Sequence, residues 1–429
     1  GHYEQLKTGR TLVEYGLTPF MDAEGSVVKK SDLVRLKFND NDFYGMTASA
    51  NYSHGRINAT IGGAANNFHG GHFGRVAWVR NYIGPIDPLQ KYYDNTGKKF
   101  DANVYGRVNA DISREFSAFA DLQYRHINYS IVGVSDNYDY NTASPVALDI
   151  HRKYDFFNPK IGVNYTDGKH NRAFVSWSVA HKEPVRDNFT DGDPGRYPTA
   201  ERLFDYEAGY TYTGRVFSAG VNLYYMDYKD QLVLTGHLSD TGNPLSVNVP
   251  SSYRMGVELQ AGVKPCDWFD WQINATLSRN RIKDFTEYIY EDEWTNPIKN
   301  YIGSTPIAFS PSVTINNAFN FTWRGFEACL QSHYVGKQYL SNAHSEQQSL
   351  DAYFVSNLAL AYDFRRILGM KNLRVGLTVY NIFNEEYENN GYAGAGYYVG
   401  DDGKPVVYRY AGYAAQAPVN FLATVAIRF

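Results

Sequence analysis

A chain of 429 residues with 37 Tyr, 25 Phe, 6 Trp and 37 Gly, only 20% charged residues and a net charge of −4 is aromatic-rich and charge-poor, yet its mean hydropathy is −0.45. The aromatics exclude disorder, the lack of any apolar run near ~18 residues excludes transmembrane helices, and the acidic balance leaves no footprint for nucleic acid. One membrane architecture survives a polar average: the β-barrel, whose strands alternate between lipid and lumen.

In chain order, period two predicts strands at 1–8, 42–53, 56–67, 102–112, 115–128, 156–166, 171–181, 202–213, 216–228, 252–264, 268–282, 311–323, 325–337, 351–364, 372–383 and 419–429. The clearest run is Val419, Phe421, Ala423, Val425, Ile427 and Phe429, with Asn420, Thr424 and Arg428 between. The connections alternate in length. Short ones include Ser53-His54-Gly55, Asp167-Gly168-Lys169, Thr213-Gly214-Arg215 and Arg324-Gly325. Long ones cover 9–41, 67–101, 129–155, 182–201, 229–251, 283–310, 338–350 and 384–418. Loops beyond ~15 residues are uncommon in compact domains, and here every second one is long, so all long loops lie at one end of the strands. That is the pattern of an outer-membrane barrel with short periplasmic turns and long external loops. A soluble sandwich gives the same alternation but has no reason to sort its loops by length.

The apolar face then looks at lipid. Phe116, Tyr124, Tyr206, Tyr210, Tyr212, Phe269, Trp271, Tyr353, Phe421 and Phe429 are expected in the interfacial girdles. Lumen parity falls to Arg56, Arg107, Arg125, Lys160, Glu207, Glu258, Asp270, Arg374 and Arg428. A midplane Arg on the lipid face would cost ~2–4 kcal/mol. Cys266 and Cys329 are expected to be free thiols, because strands two or more apart exceed disulfide reach. The opening GHYEQLKTGR has no basic or apolar signal region, so no signal peptide is expected within it.

Several segments carry a family resemblance: HKEPVRDNFTD from His181, ERLFDYEAGYTY from Glu201, NLYYMDYKDQLV from Asn222, VYNIFNEEYENNGY from Val379 and the terminal AIRF. Together they resemble TonB-dependent outer-membrane receptors, with a flavour similar to those of Bacteroides-like bacteria. The resemblance implies a barrel of about 22 strands filled by a plug and energised by TonB through a box ahead of that plug. About 16 strands are read here, with neither plug nor TonB box, so residues 1–429 are expected to be a partial barrel domain. Arg107, Arg125, Glu207, Glu258 and Arg374 would then face the plug. Phe429 resembles the C-terminal aromatic read by outer-membrane assembly machinery; the alternative is one more girdle residue. Partners implied are TonB, the plug, outer-membrane lipid, lipopolysaccharide and, in some relatives, a surface lipoprotein.

For ligand capture, His69, His72, Arg75 and Trp78 in loop 67–101 offer chelate or stacking contacts, against a loop that merely packs its own side chains. Two His do not complete a transition-metal site. Tyr392, Tyr397, Tyr398 and Tyr408 in loop 384–418 supply rigid amphipathic area. Asp187, Asp191 and Asp193 near Gly192 and Gly195, and also Asp136 and Asp139, are oxygen-rich but lack Ca²⁺-loop spacing, so solvated turns are expected. No cofactor and no protein-held metal are expected. None of the 11 His stands in a spacing that marks an enzyme. The leading expectation is uptake of a ferric siderophore or other iron chelate. Cobalamin or haem uptake, a passive porin and an adhesin are the alternatives.

Overall fold

The computed structural model describes residues 1–191, 197–238, 243–290, 297–367 and 369–429. Among them every predicted strand has a counterpart, and the short connections fall where alternation placed them. The long connections are where expectation and structure differ. Many strands run on past the alternating core at that end: one starts at Lys30 rather than 42, one ends at Val79 rather than 67, and one ends at Leu238 rather than 228. Past the membrane the apolar/polar rhythm has no cause to persist, so a strand continues there without its sequence signature.

Two compact units divide the chain, one formed by Gly1–Ser53, Ala59–Arg107 and Leu122–Phe157, the other by His54–Asn58, Val108–Asp121 and Asn158–Phe429. In the first, His2–Thr11 pairs antiparallel with the beginning of Lys30–His54, from His2 opposite Phe38 to Thr11 opposite Lys30. The predicted loop 9–41 is thus largely a hairpin. It turns through a short 3₁₀ segment, Leu12–Tyr15, stopped by Gly16 at φ 67°. The opening strand, expected as a stub of the wall, pairs with the stretch preceding the alternating residues 42–53. Leu12 and Leu33 are fully buried there with Val76, Tyr92 and Tyr93.

In the second unit the neighbours follow chain order without a crossover: Asn171–Lys182, Glu201–Thr213, Phe217–Leu238, Pro244–Cys266, Phe269–Ile289, Val313–Trp323, Phe326–Val335, Tyr353–Ile367, Met370–Tyr380 and Asn420–Arg428. Strand Ile298–Pro306 adds to the loop-side half of Phe269–Ile289. Register keeps the two faces apart. Tyr206 stands opposite Tyr225, and Glu207 opposite Tyr224. On the apolar face Leu223, Leu259 and Leu277 are each more than 40% exposed, whereas the buried apolar cluster Val233, Val249, Ile282 and Ile307 sits at the loop side. Rows of leucines facing outward would forfeit ~25 cal/mol per Å² in water, so that face is solvated by hydrocarbon.

The short turns are made by residues that tolerate positive φ. Arg324 (47°) and Gly325 (89°) join Trp323 and Phe326 as a two-residue turn whose twist matches the flanking strands. In the turn after Thr166, one Asp167 carboxylate oxygen accepts the N–H groups of Lys169 (2.8 Å), His170 (2.8 Å) and Asn171 (2.9 Å), and the other accepts Nδ2 of Asn171 (2.5 Å). These donors, led by the Asn171 N–H, hold the Asp167 carboxyl well below the usual range. A folded pKa below the unfolded value means the turn contributes fully above about pH 5 and loses its contribution as pH falls through the carboxylate range. Wild-type protein in detergent should therefore lose more stability between pH 6 and pH 3 than Asp167→Ala, read as the shift in denaturant midpoint. Equal losses would show that the turn is not coupled to global stability. Cys266 and Cys329 are both free, as expected.

Candidate functional site

At the long-loop end of the second unit, the predicted loop 384–418 is an ordered hairpin, Glu388–Val399 paired with Pro405–Ala415. The Asn-Ile-Phe-Asn element ties its two legs. Asn381 and Asn384 both adopt positive φ (51° and 53°), a conformation asparagine tolerates. Buried Asn381 accepts the Glu385 N–H on Oδ1 (2.9 Å) and donates Nδ2 to the carbonyls of Glu385 (2.9 Å) and Ala417 (3.3 Å). Asn384 Oδ1 accepts the Val419 N–H at 2.9 Å. One tetrapeptide thereby fixes where the hairpin leaves the wall and where it returns.

The hairpin has two unlike faces. Ala393, 1% exposed, packs with Leu340 and Leu350. Buried Gln348 donates Nε2 to the carbonyls of Gly394 (2.7 Å) and Tyr410 (3.0 Å) and accepts the Ser341 hydroxyl (2.7 Å). Arg409 donates to both carboxylate oxygens of Glu287, at 2.6 Å each, in a site that leaves less than a fifth of either side chain exposed. The Tyr397 N–H donates to the Tyr290 carbonyl (3.3 Å). The opposite face is a ladder of tyrosines set across from glycines: Tyr392 opposite Gly412, Tyr410 opposite Gly394, and Tyr408 opposite Gly396. A Cβ on any of these glycines would run into the facing ring. Burial, with Tyr392 beside it, pushes the Tyr410 phenol up, so it remains a neutral donor at pH 7. Beside the ladder, Tyr392, Tyr413, Asn390, His237, Phe309 and Gln338 help line a pocket of about 680 Å³.

Of the predicted capture residues, Tyr392, Tyr398 and Tyr408 share the presented face and are 46%, 55% and 39% exposed. Tyr397 does not: it is 8% exposed, on the docking face, because alternation turns adjacent residues to opposite sides. Tyr410 belongs to the ladder, and only the register against Gly394 reveals it. His69, His72, Arg75 and Trp78 lie on strand Ile57–Val79 rather than in a loop, and i,i+3 spacing on a strand puts His69 and His72 on opposite faces. Arg75 stacks on Phe38 and Phe73, 5.2 Å from each ring centre. Among the described residues no group of three His, Cys, Asp or Glu is gathered to hold a metal.

The acidic residues are not simply solvated turns: Asp136 and Asp139 lie on the strand Phe116–Asp139, and Asp187 lies in the short helix Arg186–Thr190 that Asp191 ends. Asp136 pairs with Lys37, Asp139 accepts the Asn141 N–H (2.8 Å), Asp187 accepts Asn243 Nδ2 (2.9 Å) and Asp191 accepts the Thr190 hydroxyl (2.8 Å). Gly192, Asp193 and Gly195 lie outside the described residues. Of the polar-face charges, Arg125 engages Asp101 through two bonds (2.9 and 2.5 Å), Arg374 is shared by Glu327 and Asp363, Glu258 accepts Asn222 Nδ2 (3.2 Å), and Glu207 stands opposite Tyr224. Arg107 is exposed on Lys91–Asp111, and Phe429 is 79% exposed just past the last strand.

An uncrossed antiparallel meander with a lipid-facing apolar side and ordered caps at one end defines a transmembrane β-barrel of the outer-membrane receptor class. The family model for the TonB dependent receptor-like β-barrel matches residues 3–382, and the chain belongs to that family of outer-membrane proteins. No curated protein matches the chain. Among solved structures it is similar to the ferric-catecholate import receptor Fiu of E. coli K12 (15% identity, TM-score 0.60, covering 94% of this chain and 56% of that one). It is also similar to the copper transporter OprC (12%, 0.68, 93% and 61%) and to the siderophore receptor PiuA of Acinetobacter baumannii (11%, 0.61, 93% and 57%). The chain thus spans between about half and three fifths of the length of these relatives.

Two outcomes test the hairpin. Arg409→Ala leaves Glu287 buried without its partner, at a cost on the order of 3 kcal/mol. Proteolysis at residues 400–404 should then accelerate at least about tenfold, while Glu287→Leu/Arg409→Met recovers part of the protection. Gly394→Val and Gly396→Val should displace Tyr410 and Tyr408 with the barrel still folded, seen as altered near-ultraviolet dichroism with unchanged heat-modifiable migration.

Proposed function

We propose that this barrel belongs to a non-enzymatic receptor for TonB-energised uptake of a scarce nutrient, with a ferric siderophore or other iron chelate as the cargo. The observation that carries the reading is the tyrosine ladder of the hairpin beside its pocket. Rigid rings present stacking area and phenolic donors, which suit a flat, oxygen-rich chelate whose metal is already fully ligated by its own groups. Several structural neighbours act on ferric chelates by their own descriptions, and a copper transporter shares the fold, so the cargo reading leans on the ladder rather than on the fold. In the proposed cycle the ladder captures the chelate, a plug inside the barrel closes the lumen, and TonB pulls on that plug. The polar-face charges Arg107, Arg125, Glu207, Glu258 and Arg374 are assigned to plug contact.

The test uses the intact receptor. Binding of ferric catecholate and hydroxamate chelates, followed by quenching of intrinsic fluorescence, should weaken roughly tenfold in Tyr392→Ala and in Tyr408→Ala. Tyr397→Phe should leave affinity unchanged. A deletion strain should grow poorly with such a chelate as sole iron source. Normal growth on every iron chelate, with a defect on cobalamin instead, would reassign the cargo.

A further inference from the structure

The pocket beside the tyrosine ladder is lined, among the described residues, by no Asp, Glu, Lys or Arg. Its polar groups are the amides of Gln338, Asn389 and Asn390, the imidazole of His237 and the phenols of Tyr392 and Tyr413. The cations nearest to these in sequence are already engaged, Lys337 with Glu346 and Arg409 with both carboxylate oxygens of Glu287. The exposed Glu388, which begins the hairpin, adds only negative charge.

Two features mark the pocket as built. Gln338 is 8% exposed, and its side-chain amide has no hydrogen-bond partner among the described residues. An amide left unpaired in so buried a place is costly, so its donors and acceptor are left to whatever occupies the pocket. Phe309 lines the wall at φ 52°, a conformation unfavourable for a bulky residue, and its N–H donates to the Tyr339 carbonyl at 2.9 Å. Gly236, at φ 92°, brings its strand so close that a Cβ would lie 2.6 Å from the Leu340 carbonyl oxygen.

A side-chain amide offers donors and an acceptor together, so this lining suits a cargo that presents both and carries no net charge. A charge moved from water into such a site loses hydration that no ion partner there replaces. Ferric chelates divide on this point. Three hydroxamates give up one proton each and leave the complex neutral, whereas three catecholates give up two each and leave it triply negative. On the footing of iron-chelate uptake, we propose that the pocket selects an uncharged, amide-bearing cargo, which for iron means a ferric trihydroxamate rather than a catecholate. Tyr392 belongs to both pocket and ladder, so the chelate core stacks on the rings while its amide-bearing arms enter the pocket.

The experiment takes the full receptor in mild detergent and reads its affinities from quenching of intrinsic fluorescence. The probes are a neutral ferric trihydroxamate, a ferric tris-catecholate and cyanocobalamin. The trihydroxamate should bind at least about tenfold tighter than the tris-catecholate and should weaken about fivefold in Gln338→Leu. Asn390→Lys places a cation at an exposed lining position and should narrow the preference at least about threefold by improving catecholate binding. Equal or tighter binding of the tris-catecholate by the wild type, or unchanged affinities in both variants, would overturn the selection and leave iron-chelate uptake standing. Cyanocobalamin, also uncharged and rich in amides, binding in place of both chelates would uphold the pocket's chemistry and overturn iron as the cargo. Binding of none of the three would overturn both. Heat-modifiable migration verifies folding. Should Gln338→Leu not fold, the wild-type preference and Asn390→Lys decide.

Discussion

Inside a bilayer a backbone N–H or C=O has no water to turn to, and each one left unpaired costs several kcal/mol. Every strand that crosses must therefore be paired along both edges, and its side chains must alternate between hydrocarbon and the polar interior. This single requirement explains the opening paradox of an aromatic, charge-poor chain that is hydrophilic on average. Leu223, Leu259 and Leu277 are exposed because hydrocarbon is their solvent, while Glu207, Glu258 and Arg374 sit one residue out of phase with that face. The uncrossed meander from Asn171 onward follows too, since adjacent pairing through short turns satisfies backbone groups with the least chain.

Beyond the membrane the requirement relaxes, and other forces organise the chain. Water can satisfy a loop, so order there has to be built from specific contacts. In the first unit a small apolar cluster around Leu12 and Leu33 does this. In the second, the Asn381/Asn384 turn fixes both legs of the hairpin, Gln348 spans both of its strands, and the Arg409–Glu287 pair fastens it down. The glycines opposite Tyr392, Tyr408 and Tyr410 are spaces for the rings as much as flexible residues. The result is a tyrosine surface whose arrangement is set by contacts on the opposite face of the hairpin.

Much of this was legible in the sequence. Alternation located each membrane-crossing strand, and the lengths of the connections sorted the two ends. The Asn-Ile-Phe-Asn element stood out as a marker, although its work of tying Glu385, Ala417 and Val419 together could not be read from it. The histidine spacing misled: His69 and His72 look adjacent on paper, yet they lie on an extended strand whose period separates them. Residues 384–418 read as a loop because Gly, Asn and Tyr there follow no simple hydrophobic rhythm.

The sequence by itself determined the architecture, the membrane, the sidedness of the loops and the free cysteines, because each depends on local alternation and on the order and length of segments along the chain. Only the tertiary structure decided which tyrosines are presented and which, like Tyr397, are turned inward. It alone paired Arg409 with Glu287 and brought Gln338, Asn390 and Tyr392 around one pocket. Those facts depend on register between strands far apart in sequence. A one-residue slip would turn every side chain to the other face, and no local pattern records which register the folded sheet adopts.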